Sequence, residues 1–112
     1  MTHIEKFVHY LECYQNKDIE SVSNLFSDDI HLRDWKISVF GKSIAIAETQ
    51  NNFDNASTIE IDVLNIMENA NCVCGELKIV VNNQEVLFVV DVVTFNELGK
   101  ISSIHAYLGR GN

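Results

Sequence analysis

The chain has 112 residues, 46% of them hydrophobic, and its 16 acidic residues against 8 basic ones give a net charge of −8. This length and composition predict one globular domain over residues 1–112 with a single core, and the negative charge argues against nucleic acid or an anionic membrane surface as partner. No window approaches the length of a membrane span and no secretory pattern opens the sequence, so we predict a soluble, cytoplasmic protein.

Apolar residues recur at helical spacing at the start of the chain. A first helix is predicted to end near Gln15, where its apolar stripe stops. The stripe consists of Ile4, Phe7, Val8, Leu11 and Tyr14, with Tyr10 beside it. Asp18 is the predicted N-cap of a second, short helix. The apolar face of that helix consists of Ile19, Val22, Leu25 and Phe26.

The pattern then changes from helix to strand. Alternation of apolar and polar residues from Ile30 to Trp35 predicts a half-buried strand, and a third helical pattern follows Gly41. Four later segments are rich in β-branched residues and separated by turn residues, which predicts four antiparallel strands. They are TIEIDVLNIM, NCVCGELKIVV, EVLFVVDVVTF and KISSIHAYL. This order predicts an α+β fold, a curved antiparallel sheet with three helices on its concave face.

The segment EVLFVVDVVTF, residues 85–95, is apolar on both of its faces. Because helices can cover only one face of the sheet, the other face is predicted to be buried in a homodimer. The same segment carries Asp91 at its centre. A lone ionised carboxylate is costly in an apolar interior, so Asp91 must be paired, protonated or exposed.

Cysteines and histidines give no sign of a metal or a disulfide framework. Cys13, Cys72 and Cys74 are odd in number and lack paired C-x-x-C spacing, so buried thiols are expected. The four histidines show no ligand spacing on one element. With no H-E-x-x-H motif and no glycine-rich phosphate loop either, neither a metal nor an organic cofactor is predicted.

Two segments resemble the nuclear transport factor 2-like (NTF2-like or SnoaL-like) superfamily, and within it most resemble the ketosteroid isomerases. They are the helix-helix-strand opening at 10–35 and the closing segment DVVTFNELGKISSIHAYLG at 91–109. The resemblance implies a single domain with the cone-shaped, cystatin-like α+β fold of that superfamily. These features specify a fold rather than a reaction.

Three residues carry the functional part of the resemblance. Tyr10 matches the oxyanion-hole tyrosine of the isomerases, Asp34 their general base and Asp91 their protonated oxyanion-hole acid. The resemblance implies cofactor-free movement of a C=C bond into conjugation with a ketone, through an enolate, in a small apolar carbonyl compound. The residues expected to line the pocket are Trp35, Phe26, Val89, Val93, Ile104 and Leu108.

Each of the three also has a purely structural explanation. Asp91 is satisfied equally by a backbone amide or by a histidine such as His31 or His105. Tyr10 is also explained as a packed tyrosine with its hydroxyl at the edge of the core. Asp34 is also explained as a surface residue in a weak ion pair with its neighbour. The order of the three along the chain favours a working site.

Departures from the isomerase pattern leave other functions open. Trp35 follows the expected base where the isomerases usually have proline, and Phe26 and Thr49 stand where they often have supporting tyrosines. The alternatives are a SnoaL-like cyclase or dehydratase that uses the same acids, and a non-catalytic, ligand-binding dimer. An Asp-Arg-Asp relay, as in some epoxide-opening relatives, is disfavoured because Arg33 and Asp34 would point to opposite faces of one strand.

Overall fold

The structure is a computed structural model that describes residues 1–111. Its three helices all lie in the first half of the chain. They are α1 (His3–Gln15), α2 (Ile19–Leu25) and α3 (Lys42–Asp54). The strands are β1 (Phe26–Arg33), β2 (Ser38–Phe40), β3 (Ile59–Asn69), β4 (Cys72–Val81), β5 (Glu85–Phe95) and β6 (Ile101–Leu108). The predicted α+β class, with three helices and a curved sheet, is confirmed.

All six strands form one open sheet in the order β2-β1-β6-β5-β4-β3. The last four strands pair as antiparallel neighbours, as predicted. Strands β1 and β6 pair in parallel, so the sheet is mixed rather than wholly antiparallel. Consecutive strands joined by a tight hairpin must be antiparallel. Most of the chain lies between β1 and β6, so these two strands can pair in parallel.

Side-chain caps fix where the first two helices begin. The Thr2 hydroxyl accepts a hydrogen bond from the Glu5 amide, and the Glu5 carboxylate accepts one from the Thr2 amide, which is a capping box. Asp18 is the N-cap of α2, as predicted, because its carboxylate accepts a hydrogen bond from the Ser21 amide. Within the described part of the chain, no helix is both long and apolar enough to cross a membrane.

Two boundaries near β1 correct the sequence prediction. Phe26 does not end the second helix; it has extended backbone angles and begins β1. The strand predicted to reach Trp35 ends at Arg33. Asp34 instead opens a turn, in which its amide donates to the Ile37 carbonyl and its carboxylate accepts hydrogen bonds from two amides. An apolar-polar alternation cannot reveal this turn, because the turn depends on a side-chain hydrogen bond.

The sheet has an inner face that packs against the helices and an outer face on the opposite side. Side chains alternate along β5, so Val89, Asp91 and Val93 point inward, and all three are buried. Val86 and Val90 point outward and are exposed. In the single chain, the inner apolar face of β5 is therefore covered by the helices, whereas its outer apolar face is uncovered.

The Phe7 ring of helix α1 packs directly against Gly75 on β4. Phe7 is fully buried, and a Cβ atom added at position 75 would lie 2.5 Å from its ring. Only a residue without a side chain fits there while the Phe7 ring keeps its place. The pair Phe7–Gly75 thus sets the distance between α1 and the inner face beside Asp91, which is paired with Gly75 across the sheet.

Substitution of Gly75 tests this contact. Gly75→Ala should lower the free energy of unfolding by about 1–3 kcal/mol, because the new methyl group overpacks the core against Phe7. Urea unfolding measures the change. The double variant Phe7→Leu/Gly75→Ala should lose less than the sum of the two single variants, since the smaller side chain makes room. Strict additivity would show that the two residues do not share this space.

Candidate active site

Asp91 lies at the middle of β5 on the inner face. Its cross-strand neighbours are Gly75 on β4 and Ala106 on β6, and both are small. The Phe7 ring fills the space over Gly75, whereas Ala106 is only half buried. The carboxyl group is therefore packed against α1 on one side and less crowded on the side of β6.

The carboxyl of Asp91 is held in an environment that favours its neutral form. The residue is 8% exposed, and burial, assisted by the charge of Asp34, raises its pKa from 3.8 to about 7. His31 and His105 do not neutralise it, because their strand register puts them on the outer face. There, His31 Nδ1 and His105 Nε2 are 3.0 Å apart. His31 and His105 are thereby excluded as partners of Asp91.

Tyr10, on α1, is buried in the same region. Its side chain is 5% exposed, and burial, followed by the charge of Asp91, raises the pKa of its hydroxyl well above the ordinary range. Its ring packs near Phe26, with 6.2 Å between centroids, and edge-on to Tyr14 at 5.9 Å. The hydroxyl therefore keeps its proton at physiological pH and can act as a hydrogen-bond donor.

The Tyr10 hydroxyl and the Asp91 carboxyl group have no hydrogen-bond partner among the described residues. No fully enclosed side-chain nitrogen or oxygen in residues 1–111 lacks a partner, so these two groups must border accessible space. When Asp91 is protonated, the two groups are neighbouring donors without partners in apolar surroundings, as a developing oxyanion requires.

Asp34 lies just beyond the end of β1 and is half buried. Its Oδ1 atom accepts hydrogen bonds from the amides of Lys36 (2.7 Å) and Ile37 (2.9 Å), which fixes the side chain. Its Oδ2 atom takes no part in this turn. Burial is the main cause of the raised pKa values of Asp91 and Tyr14, and the charge of Asp34 adds to both, so these groups share one neighbourhood.

Tyr14 is a further polar group of this site that the sequence predictions omit. Its hydroxyl accepts a hydrogen bond from Asn52 Nδ2 on α3 (3.2 Å), and its ring makes an edge contact with Phe53 at 4.9 Å. Burial and the charge of Asp91 raise the pKa of Tyr14. The available signal is its spacing, since residues four apart on a helix lie on one face and Tyr14 follows Tyr10 by four.

The residues predicted to line a pocket fall into two groups. Four lie on the inner face around Asp91, two on its own strand and two paired with those across the sheet. These four are Val89 and Val93 on β5 and Leu108 and Ile104 on β6. Phe26 is buried beside Tyr10, whereas Trp35 is 42% exposed in the turn after Asp34. Contact of any of these residues with a ligand remains a prediction.

Two surface hollows lie away from these groups. One, of about 640 Å³, adjoins the start of α3, and the other, of about 380 Å³, lies between the end of α1 and the start of β3. Neither is lined by Tyr10, Asp34 or Asp91. In the described residues, no three His, Cys, Asp or Glu side chains are grouped so as to hold a metal ion.

Arg33 is separated from the acids by the sheet itself. It is paired with His105 on the outer face, where its guanidinium lies over the Tyr107 ring and donates to the Tyr107 hydroxyl. Asp91 points to the inner face. Arg33 therefore does not lie between Asp34 and Asp91, as an Asp-Arg-Asp relay would require.

Solved structures of several proteins superpose on this chain over nearly its full length. An NTF2-like protein of unknown function from Cytophaga hutchinsonii gives a TM-score of 0.83 at 13% identity, covering 97% of this chain and 91% of that one. An LEH-like epoxide hydrolase from M. tuberculosis gives a TM-score of 0.81 at 16% identity, and the match covers 96% of this chain and 82% of that one. A candidate ketosteroid isomerase from Kribbella flavida gives a TM-score of 0.78 at 11% identity, and the match covers 92% of this chain and 74% of that one. No protein-family model and no curated protein matches the chain.

The chain therefore has the NTF2-like, or SnoaL-like, fold, as the sequence resemblance predicted. The isomerase candidate and the epoxide hydrolase are only 11% and 16% identical to this chain, so their structural likeness establishes the fold alone. Since proteins with different activities share it, the reaction has to be argued from the side chains of this chain.

The protonation of Asp91 can be tested without a substrate. The folded protein binds this proton more tightly than the unfolded chain does, because the pKa rises from 3.8 to about 7. The stability contributed by Asp91 is therefore fully present below about pH 4 and is lost as pH rises through about 7, a change of roughly 4 kcal/mol. Asp91→Asn removes this titration, so its free energy of unfolding should decline less across that window.

Urea unfolding midpoints at closely spaced pH values measure the difference between the two proteins. Asp28→Asn is the matched control, because Asp28 is exposed, and its curve should run parallel to that of the unmodified protein. A parallel curve for Asp91→Asn would mean that Asp91 is ionised in the folded state, which contradicts its proposed role as a neutral donor.

Proposed function

We propose that this protein is a ketosteroid isomerase-like enzyme that moves a C=C bond into conjugation with a ketone. The observation that carries the proposal is the contrast between its two acids. Asp91 is buried, with its pKa raised to about 7, whereas Asp34 is half exposed beside it with one free carboxylate oxygen. Two neighbouring acids in such different environments suit a neutral donor and an ionised base.

In the proposed reaction, Asp34 Oδ2 removes a proton from the carbon between the carbonyl and the double bond. The electron pair released from that C–H bond moves into the carbonyl, and the double bond and the negative charge are shared in a dienolate. Tyr10 and Asp91 donate hydrogen bonds to its oxygen. Asp34 then returns the same proton to the far end of the dienolate, which leaves the double bond in conjugation. Protons and electrons balance without a cofactor.

Tyr14 is proposed as a third hydrogen-bond donor in this site. Because its oxygen accepts a hydrogen bond from Asn52, its own proton is directed away from Asn52. Burial raises the pKa of Tyr14, and the charges of Asp91 and Asp34 add to this shift, which supports placing its hydroxyl in the same site. Asn52 is then the positioning residue that orients this hydroxyl.

The proposed substrate is a small apolar carbonyl compound rather than a large one. The side chains of Tyr10 and Asp91 are almost fully covered, and neither of the two surface hollows reaches them. The Phe7 ring also occupies the space over Gly75 beside Asp91. A flat monocyclic enone needs less volume beside Tyr10 and Asp91 than a steroid does.

The proposed assembly is a homodimer through the outer sheet face. Val90 and Tyr107 are paired there on β5 and β6 and are 39% and 50% exposed. Covering this apolar surface with a second copy removes it from water, and a standard interface buries about 1,200–2,000 Å². All three cysteines are free thiols, which fits the reducing cytoplasm that we propose as its location.

An assay of double-bond migration tests the proposed reaction. The protein should convert a small cyclic β,γ-unsaturated ketone into the conjugated enone, with new ultraviolet absorbance, and should convert a steroidal one more slowly. Asp34→Asn should lower the rate by about 10²–10⁴-fold, because the amide oxygen preserves the turn but cannot take a proton. Asp28→Asn should leave the rate unchanged. Inactivity of the unmodified protein on both substrate classes would refute the isomerase proposal.

A second outcome of that assay separates the alternatives. A protein that binds substituted phenols, as mimics of an enolate, but turns over no enone would be a ligand-binding module. Its narrow, largely covered site is the observation that favours this alternative. Dehydration of a β-hydroxy ketone without isomerisation would indicate a dehydratase that uses the same acids.

The role of Tyr14 predicts a specific effect on ligand binding. Tyr14→Phe removes the hydroxyl but keeps the ring against Phe53, so phenolate affinity should fall about tenfold through the loss of one donor hydrogen bond. Asn52→Leu should have a smaller effect in the same direction. Titration of both variants with a fluorescent phenol measures this. Unchanged affinity in Tyr14→Phe would assign Tyr14 to packing alone.

A further inference from the structure

Two of the three cysteines lie together on the outer face of the sheet. Cys72 and Cys74 are two residues apart on β4, and side chains two apart along a strand point to the same face. Val73 between them is fully buried on the inner face, so both thiols point outward. Each cysteine is half buried and carries a free thiol. The C-x-C spacing on a strand therefore places a dithiol at the surface.

A third sulfur atom lies opposite this dithiol. Met67 on β3 is the direct cross-strand partner of Cys74, and such partners share a face, with Cβ atoms about 4.5–5.5 Å apart. The Met67 side chain is 56% exposed, so it contributes little to the core. Its three rotatable bonds allow the thioether to reach over Cys74 toward Cys72. The outer face thus carries two thiols and one thioether side by side.

The neighbours of these sulfur atoms on the adjacent strands are uncharged. Val92 is paired with Cys74, and Thr94 is paired with Cys72, both from β5. Asn69 on β3 is the other partner of Cys72. Burial raises the pKa of the Cys74 thiol, and the adjacent Cys72 thiol adds to this shift. Two thiolates held this close repel each other, and a bound cation removes that repulsion.

The spacing of the two cysteines favours a chelated ion over a disulfide. Residues two apart on a strand have Cα atoms about 6.7 Å apart, which is the upper end of the range of roughly 4.4–6.8 Å that a disulfide spans. A metal–sulfur bond is about 2.3 Å long, so one ion can hold two sulfur atoms about 4–4.6 Å apart. The two thiols can therefore bind one ion by side-chain rotation, whereas a disulfide would strain the strand.

The donor atoms determine which ion this group prefers. Thiolate and thioether sulfurs are soft ligands that select Cu(I), an ion that is stable with two or three sulfur ligands. Zn(II) in structural sites takes four ligands, and the described residues bring no third Cys, His, Asp or Glu ligand to this pair. The next outward residue on β4 is the exposed acid Glu76, which favours a cation, and Lys78 is about 13 Å from Cys74.

This sulfur group is separate from the candidate active site and from the centre of the proposed dimer interface. Asp91 lies on the inner face of the sheet, and the three sulfur atoms lie on its outer face. Thr94, which faces Cys72, is four residues along β5 from Val90, or roughly 13 Å away. An inference about this group therefore depends on neither the isomerase reaction nor the homodimer.

We propose that Cys72, Cys74 and Met67 form a binding site for one Cu(I) ion on the outer face of the sheet. The two cysteines bind as thiolates and release their protons to solvent, and the Met67 thioether completes a three-coordinate set of sulfur ligands. Copper enters and leaves as Cu(I), so no electron is transferred. The pairing of β3 with β4 fixes the backbone of all three residues before the ion binds.

Competition with bicinchoninate, a coloured Cu(I) chelator, tests this site under anaerobic, reducing conditions. The unmodified protein should remove one Cu(I) ion per chain from the chelator. Cys72→Ser and Cys74→Ser should each raise the Kd for Cu(I) at least about hundredfold, because a hydroxyl is a poor ligand for a soft ion. Met67→Leu preserves size and apolar character and should raise it about tenfold. Cys13→Ser on α1 is the matched control and should leave it unchanged.

The outcomes of this experiment separate the possible sites. A lack of Cu(I) uptake by the unmodified protein, or full uptake by either Cys72→Ser or Cys74→Ser, would overturn the proposal. Unchanged affinity in Met67→Leu would overturn the three-sulfur site and leave a dithiol. A loss of affinity in Cys13→Ser would place the copper elsewhere and likewise overturn it.

Copper X-ray absorption of the unmodified protein provides a measurement that does not depend on whether a variant folds. Three sulfur neighbours around the ion are expected from the ligands Cys72, Cys74 and Met67. Nitrogen or oxygen neighbours in place of sulfur would contradict the proposed site.

Discussion

A carboxyl group at the centre of the most apolar strand is the constraint on which the rest of the site depends. Asp91 has no charged partner, so the surrounding structure determines whether it carries a proton. The small neighbours Gly75 and Ala106 leave room beside it, and the Phe7 ring excludes water from one side of that room. Tyr10 then enters the same dry region with a hydroxyl that cannot ionise at physiological pH. Changing any one of these side chains changes the proton affinity of the acid.

The same sheet separates two kinds of chemistry by the alternation of its side chains. Inward positions of β5 combine an acid with aliphatic neighbours, whereas the outward positions of β6 carry His105 and Tyr107 beside Arg33. A one-residue shift of β1 would turn Arg33 to the inner face that carries Asp91, and a positive charge on that face would favour the ionised acid. Strand register therefore protects the neutral state of Asp91 as much as burial does.

Periodicity in the sequence was sufficient for the elements that have one apolar face or strong caps. Helix α1, the Asp18 cap and the four C-terminal strands follow directly from it, and the unusual run around Asp91 marks the candidate site. Periodicity could not predict features that depend on a single side-chain contact or on the pairing of strands far apart in sequence. The turn at Asp34 depends on two hydrogen bonds, and the parallel β1–β6 pair depends on how the whole chain returns. Tyr14 was predicted only as part of the apolar stripe of α1, because its polar partner Asn52 is far away in sequence.

The parallel pairing of β1 with β6 also has a kinetic consequence. It joins Arg33 to His105 and Phe26 to Ile101, positions separated by most of the chain. Such contacts form only after a large loop has closed, which costs conformational entropy before the contacts stabilise the chain. Chains rich in them therefore fold slowly. Hairpins β3–β4 and β4–β5 can form locally and early, but Asp34 reaches Asp91 only when β1 docks beside the last strand. The proposed active site is therefore expected to be among the last parts of the molecule to assemble and the first to be lost in partial unfolding.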